Sequence, residues 1–174
     1  MRKLSVLLAI AALVGCADTY KISPTGFYDW PVVLDRSGSA YVALTPDGNY
    51  QGDVYPGSGI ATTNITATAF APFLRRVVTG VAVEDFEAAI ASARSRKLTY
   101  LLFPTIRNWE DRATAWSARP DRVAVELSVV VLSSGKVVDS VLIEGQSKEA
   151  TLAASGPEDL LPDPLPAYAA SLFK

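Results

Sequence analysis

The sequence predicts an α/β (α+β) fold, a mixed sheet built in the order β-α-β-α-β-β-β and closed by a short C-terminal helix. Three observations point there: two segments of helical period separated by short apolar runs, one nearly continuous apolar run of strand length, and two alternating segments joined by a Ser-Ser-Gly turn. A chain of 174 residues, 49% of them apolar, has enough to bury for one domain with a real core, and it carries no internal repeat.

"SAYVALTPDG" opens the folded part as a short strand, ended by a Pro-Asp-Gly turn at 46–48. The glycine-rich "NYQGDVYPGSG" then leads into a helix-like stretch over 58–76, with Ser58 near its start. A phosphate-cradling loop would also be glycine-rich, but the lysine and Ser/Thr spacing of a P-loop is missing, so a flexible loop is the plain reading. Ile65, Ala69 and Phe73 fall four apart on one helical face, and Pro72 should kink or shorten that helix. A short strand near 76–81 precedes the stronger helix, where Phe86, Ala89, Ile90 and Ala93 recur at i, i+3, i+4, i+7. Glu84, Asp85 and Glu87 lie in its first turn and Arg94, Arg96 and Lys97 in its last, each end opposing the helix dipole. "LTYLLFPTI" is a buried strand bounded by that basic helix end and Pro104. "RVAVELSVVVL" and "KVVDSVLIEG" alternate with period two around the turn at 133–135, a hairpin signal. "PLPAYAASLF" reads as a last short helix with Leu165, Tyr168, Ala169 and Leu172 on one side.

Ahead of the domain, Arg2 and Lys3 precede the apolar run "LSVLLAIAALVG" and a single cysteine, the layout of a secretory signal too short to span a bilayer. "LVGC" closes the run in the pattern of a bacterial lipoprotein signal, in which small residues admit the peptidase and the Cys16 thiol is diacylated. Residues 1–15 are therefore read as a lipoprotein signal peptide, 16–38 as the lipidated cysteine and a tether, and 39–174 as one α/β domain. The tether is read so because Pro24, Gly26, Pro31 and Gly38 interrupt any long period, leaving Phe27, Tyr28 and Trp30 to pack in part. Two or more acyl chains make attachment effectively permanent. Lipoproteins with aspartate directly after the cysteine tend to stay in the inner membrane; Ala17 holds that place here, which favours the outer membrane, while Asp18 follows one place later.

Removal of 1–15 leaves 14 basic against 18 acidic residues, a net charge near −4, which argues against nucleic acid and anionic lipid as ligands. With lipid on the one cysteine, disulfides are excluded and thiol catalysis is not expected; with no histidine, Ser-His-Asp and Cys-His arrangements and histidine zinc sites are excluded too. No cofactor, metal or catalytic residue is expected.

"NWEDRATAWSARPD", 108–121, concentrates two tryptophans, three acids and two arginines in an otherwise bland chain. Pairing 109–116 antiparallel with 122–129 would put Ala113 and Ala115 toward the core and Glu110, Arg112 and Trp116 toward solvent. Arg112 would then face Glu126 and Trp116 would face Arg122, an ion pair and a cation-π contact of up to about 1 kcal/mol each. Asp111 is a misfit on the apolar side unless a bulge turns it or Arg107 or Arg119 satisfies it. Glu110 and Asp111 point to opposite faces of such a strand and suit paired acid-base work poorly. A structural hairpin, a partner-binding face and catalysis all remain open for this stretch.

"WEDRATAWSARPDR" at 109–122, with "DGNYQGDVYPGSG" and "DLLPDPLPAYAASLF", resembles a family of proteobacterial envelope lipoproteins known only as a domain of unknown function. The likeness covers the chain from about residue 40 to its end and implies no catalytic residues. More loosely, the element order resembles the α/β domain of the TolB N-terminal region, the curli-secretion lipoprotein and the outer-membrane activators of peptidoglycan synthases. That resemblance implies a mixed sheet with helices on one face and a habit of docking to envelope proteins, though a fold does not fix a function.

The expected function is a protein-interaction or envelope-assembly module, lipid-anchored at Cys16 to the outer membrane and facing the periplasm. Candidate partner-binding residues are Trp109, Glu110, Arg112, Trp116 and Arg122, with Tyr50 and Tyr55 in the neighbouring loop, residue types that carry interface energy. The partner is expected to be an envelope protein. One alternative is a cell-wall glycan hydrolase using carboxylates such as Asp47, Asp53, Glu110 or Asp111, which would need two carboxyls about 5 to 9.5 Å apart. The other is a small-ligand carrier.

Overall fold

The computed structural model describes residues 18–26, 28, 32–112, 119–148 and 156–173. Its elements are β1 (Thr19–Pro24), β2 (Ser39–Leu44), β3 (Asn49–Tyr50), β4 (Asp53–Val54), α1 (Ser58–Phe70), β5 (Arg76–Val83), α2 (Phe86–Ser95), β6 (Tyr100–Glu110), β7 (Arg122–Val131), β8 (Lys136–Gln146), a 3-10 turn (Pro157–Leu160) and α3 (Pro164–Ser171). Six strands form one mixed sheet in the order β1-β8-β7-β6-β2-β5, and β3 and β4 form a separate small hairpin. β2 runs parallel to both β5 and β6, as β-α-β crossovers require, and β6, β7, β8 and β1 form an antiparallel meander. The α/β fold class and the C-terminal helix are as the sequence predicts; β1 and the β3–β4 hairpin are additions.

Helices lie on both faces of the sheet, not on one as the resemblance implied, and the two faces are covered differently. On one, Val123, Val125 and Leu127 of β7 and Val141 and Ile143 of β8 pack with Phe70 of α1, Leu165 and Tyr168 of α3 and Leu172 just after it. On the other, α2 covers only the β2–β6 side through Ala89, Ile90 and Ala93, packed with Tyr41 and Leu101. The meander's second face is left without a helix among the described residues, which explains why β7 and β8 alternate apolar and polar along their length.

Each helix end has an identifiable cause. α1 stops at Phe70, two residues before Pro72, and its buried face is lined by Thr62, Thr63 and Thr66 with Ala69 and Phe70; Ile65 and Phe73 pack at its margin. Two of these buried hydroxyls are satisfied, Thr63 donating to Ala43 O at 3.3 Å and Thr66 donating back to Thr62 O at 2.8 Å, while the Thr62 hydroxyl has no hydrogen-bond partner among the described residues. α2 starts at an N-cap Asp85, whose side chain accepts from Ala88 N. It ends in a Schellman turn, Lys97 N to Arg94 O and Leu98 N to Ala93 O, with Lys97 at φ 55°.

Three expectations about the strands are corrected. β6 runs through Pro104 to Glu110, because pairing with β2 ends at Leu102 and leaves the proline in an edge-like stretch where a missing donor is tolerated. β7 pairs with 100–110, out of the register expected for 109–116: Glu110 stands opposite Arg122 and Thr105 opposite Glu126. The register shifts between Ile106 and Asn108, and that irregularity at Arg107 turns Trp109 into the core. Finally, Thr19–Pro24, read as part of a tether, pairs along its whole length with β8 as an edge strand.

Candidate interaction site

The β3–β4 hairpin turns through Gln51 (φ 53°) and Gly52 (φ 96°), two consecutive left-handed residues, the geometry that suits a two-residue hairpin. Its base packs on β6 at Gly48, where a Cβ would stand 2.7 Å from Trp109 Cβ and 2.9 Å from Ile106 Cγ2. Ser58 ties this base to α1, its hydroxyl accepting from Gly48 N at 2.8 Å and donating to Tyr55 O at 2.7 Å. Asp47 Oδ1 accepts from Gly57 N at 3.1 Å and Gly59 N at 2.8 Å, so a carboxylate of the chain itself caps the helix start. The donors that would hold a phosphate there are already used.

Arg112 joins hairpin and sheet. Its guanidinium lies 4.6 Å from the centre of the Tyr50 ring and 3.0 Å from Glu110 Oε2, while Glu110 Oε1 accepts from Asn108 Nδ2 at 2.9 Å. Arg112 N donates to Asp121 Oδ1 at 2.6 Å, and Asp121 and Ser147 exchange Asp121 N to Ser147 Oγ and Ser147 N to Asp121 O. The fully buried Asp121 thus pins both ends of the 111–121 connection to the end of β8.

Of the sequence candidates, Tyr50, Glu110, Arg112 and Arg122 come together. Trp109 is corrected: it is 3% exposed, a core residue with almost no surface to offer a partner. Glu110, expected to face solvent, is 8% exposed, its oxygens held by Asn108 and Arg112. The expected Arg112–Glu126 pair is also corrected, since β6 ends two residues earlier; Arg107 takes that role with Glu126 at 2.5 Å. Trp116, with its expected contact to Arg122, lies outside the described residues. Tyr55 backs the hairpin and lines a cleft of about 310 Å³ with Ser58, Trp109, Asp111 and Glu158. Asp111 sits past the strand end, exposed, beyond the register shift at Arg107. Partial desolvation of its carboxyl in that cleft, reinforced by the charge of Asp121, holds it above the usual range although the residue as a whole is exposed.

A second cavity, about 580 Å³, opens on the uncovered face of the meander and is lined by Thr19, Lys21, Asn108, Glu110, Arg122 and Glu144. Sequence reading missed Asp121, Asn108 and Ser147, which hold the site together. Asp121 looked like an ordinary turn residue after Pro120, and its partner Ser147 lies 26 residues away.

Residues 33–172 match the family model described as "Domain of unknown function (DUF4823)". No curated protein is significantly similar in sequence. Among solved structures, the fold is similar to that of the PelC dodecamer from Paraburkholderia phytofirmans, at 18% identity and TM-score 0.65 over 90% of this chain and 99% of that one. It is also similar to protein XCC0632 from Xanthomonas campestris, matched to the DUF330 family model, at 15% identity and TM-score 0.53 over 86% and 92% of the two chains. Lipoprotein GNA1162 from Neisseria meningitidis matches at 15% identity and TM-score 0.40 over 62% of this chain and 83% of that one.

Proposed function

The chain belongs to the DUF4823 family of unknown function, and from that premise we propose that it is a protein-interaction or envelope-assembly module, held on the bacterial outer membrane by lipid on Cys16 and facing the periplasm. The anchor rests on the charged start, short apolar run and "LVGC" of the sequence. The binding role rests on one observation above all: Tyr50 and Arg112 stack at the surface over a Glu110–Arg112 ion pair, held rigid by Ser58 and Asp121. Aromatic and arginine side chains presented from a fixed frame are the residue types that carry interface energy.

Action by binding, not catalysis, is supported by the use the fold makes of two of the four acids a hydrolase could draw on. Asp47 caps α1 and Glu110 is committed to Arg112 and Asn108. A photocrosslinker at position 50, in cells, should capture one dominant envelope protein, and the capture should disappear in a folded Glu110→Gln/Arg112→Met variant. Capture of nothing but lipid or glycan by a folded protein would sink the reading.

A second copy of the chain is a partner worth testing in its own right. The chain's own observation is β5, an edge strand among the described residues, whose Val81 and Val83 are 86% and 56% exposed. The fold likeness to PelC, whose structure is a dodecamer, adds to this. Light scattering on the purified lipidated protein in detergent reads the oligomer directly, and a monomer at all concentrations removes the idea.

A further inference from the structure

The anchor and the fold meet almost without a spacer. Thr19 is already the first residue of β1, in register with Gln146 of β8. One residue earlier, Asp18 Oδ1 accepts a hydrogen bond at 3.0 Å from Lys148 N, the backbone leaving β8. Two peptide links separate Asp18 from Cys16, and two residues of extended chain reach about 7 Å at most. A diacylglyceryl group on Cys16 places its glycerol at the level of the lipid headgroups, so the start of β1 has nowhere else to be.

We propose that the sheet corner formed by the start of β1 and the end of β8, around Asp18, Thr19, Gln146 and Lys148, rests on the headgroups of the bilayer that holds the acyl chains. This rests on the lipid anchor proposed above. Six residue pairs bind β1 to β8, so the edge is part of the domain and supplies no slack. Tyr20, beside the anchor, is 53% exposed, and its ring with a polar tip is a residue type that settles at a membrane interface. The net-charge argument against anionic lipid as a ligand is untouched, because covalent length and not charge holds this corner down.

The consequence for the interaction site is geometric. Thr19, Gln146, Arg122 and Glu110 form one row across β1, β8, β7 and β6. At about 4.8 Å between strands, Glu110 stands roughly 14 Å along the row from the anchored edge. The Tyr50–Arg112–Glu110 cluster therefore faces a partner at the membrane surface, whereas the turn at 133–135, at the other end of β8, points away by roughly 30 Å.

The test uses the full lipidated protein in vesicles that contain phosphatidylcholine with a nitroxide on its headgroup. One bimane probe is placed on Lys148→Cys or on Ser134→Cys, both exposed positions. Quenching several-fold stronger at 148 than at 134 is expected. A Gly-Ser insertion of about ten residues between Ala17 and Asp18 should erase that difference while the protein stays on the vesicles. Equal quenching at the two positions in vesicle-bound protein without the insertion overturns the proposal. If mass spectrometry of the purified chain finds an N-terminus other than Cys16, or a Cys16 thiol without a diacylglyceryl group, the anchor reading itself has failed, and the docking proposal with it.

Discussion

Tyr168 of α3 reaches through the core to Asp139 of β8, its hydroxyl donating a 2.9 Å hydrogen bond to Asp139 Oδ2, with the carboxylate fully buried. Asp139 Oδ1 accepts from Ser140 N. Burial first, and Asp139 second, drive the Tyr168 hydroxyl far above its ordinary pKa, so it stays a donor at any working pH. Tyr168→Phe keeps the ring and removes the donor from a buried acceptor. Urea unfolding should show a loss of about 1–3 kcal/mol. A loss near zero would mean that the bond adds nothing to holding α3 on the sheet.

Glu110 and Arg112 offer a sharper test of the site's rigidity. With Glu110 8% exposed, Arg112→Met leaves a buried carboxylate with Asn108 alone among the partners described above. That should cost about 3 kcal/mol. Adding Glu110→Gln should restore much of it, since the uncompensated charge is gone. Additive losses in the double-mutant cycle would show that the two side chains do not couple.

What the sequence disclosed and what it hid divide along physical lines. The alternation of β7 and the inward face of α3 depend on neighbours in sequence, and both are found as read; of the acids expected to oppose the α2 dipole, Asp85 stands one residue before the helix as its N-cap. The partner of β7 depends on the register shift at Arg107, and no periodicity announces an inserted residue. β1 escaped for a different reason: "TYKISP" is a mostly exposed edge that owes its strand conformation to β8, more than a hundred residues away. At the site, composition drew attention to 108–121, and Glu110 and Arg112 do meet Tyr50. The same composition misled over Trp109, because an aromatic residue signals a core and an interface equally well.

Asp111 carries a cost at neutral pH that a neutral side chain would remove. Its folded pKa is raised, by burial and then by Asp121. The sign follows: a raised folded pKa favours the protonated form, so stability is fully present below the unfolded pKa and falls as pH rises through the folded one. Asp111→Asn should therefore raise Tm at pH 7, and the gain should vanish in acid, where Asp111 is protonated in both states. A lower Tm at pH 7 would show that the carboxylate makes a favourable contact of its own.

Alkaline stability should depend on Tyr41. Burial comes first, then the Tyr41 hydroxyl's 2.5 Å hydrogen bond to Glu84; together they push its pKa up to about 12, although Arg96 over the ring pulls the other way. Ser92 donates to the same carboxylate. Since the folded pKa is raised, the contribution of Tyr41 is intact below about pH 10 and is lost as pH climbs to about 12. Unfolding followed from pH 9 to 12 should fall more steeply for the unaltered protein than for Tyr41→Phe. Parallel curves would mean that Tyr41 ionises as freely in the folded chain as in the unfolded one.

Val81 tests whether the open edge serves self-association. Isolated exposed valines are ordinary, but Val81 and Val83 lie on an edge strand, where unpaired backbone groups invite another strand. Natural edges are protected by lysine, and a residue 86% exposed can be changed to lysine with little effect on folding. If copies of the chain join along β5, Val81→Lys should reduce the mass measured by light scattering to that of the monomer while Tm stays within about 2 °C. An oligomer that survives the substitution must be built elsewhere. The apolar cleft of about 360 Å³ between Ile65, Ala69 and Phe73 on one side and Pro162 and Pro166 on the other is then the next surface to alter.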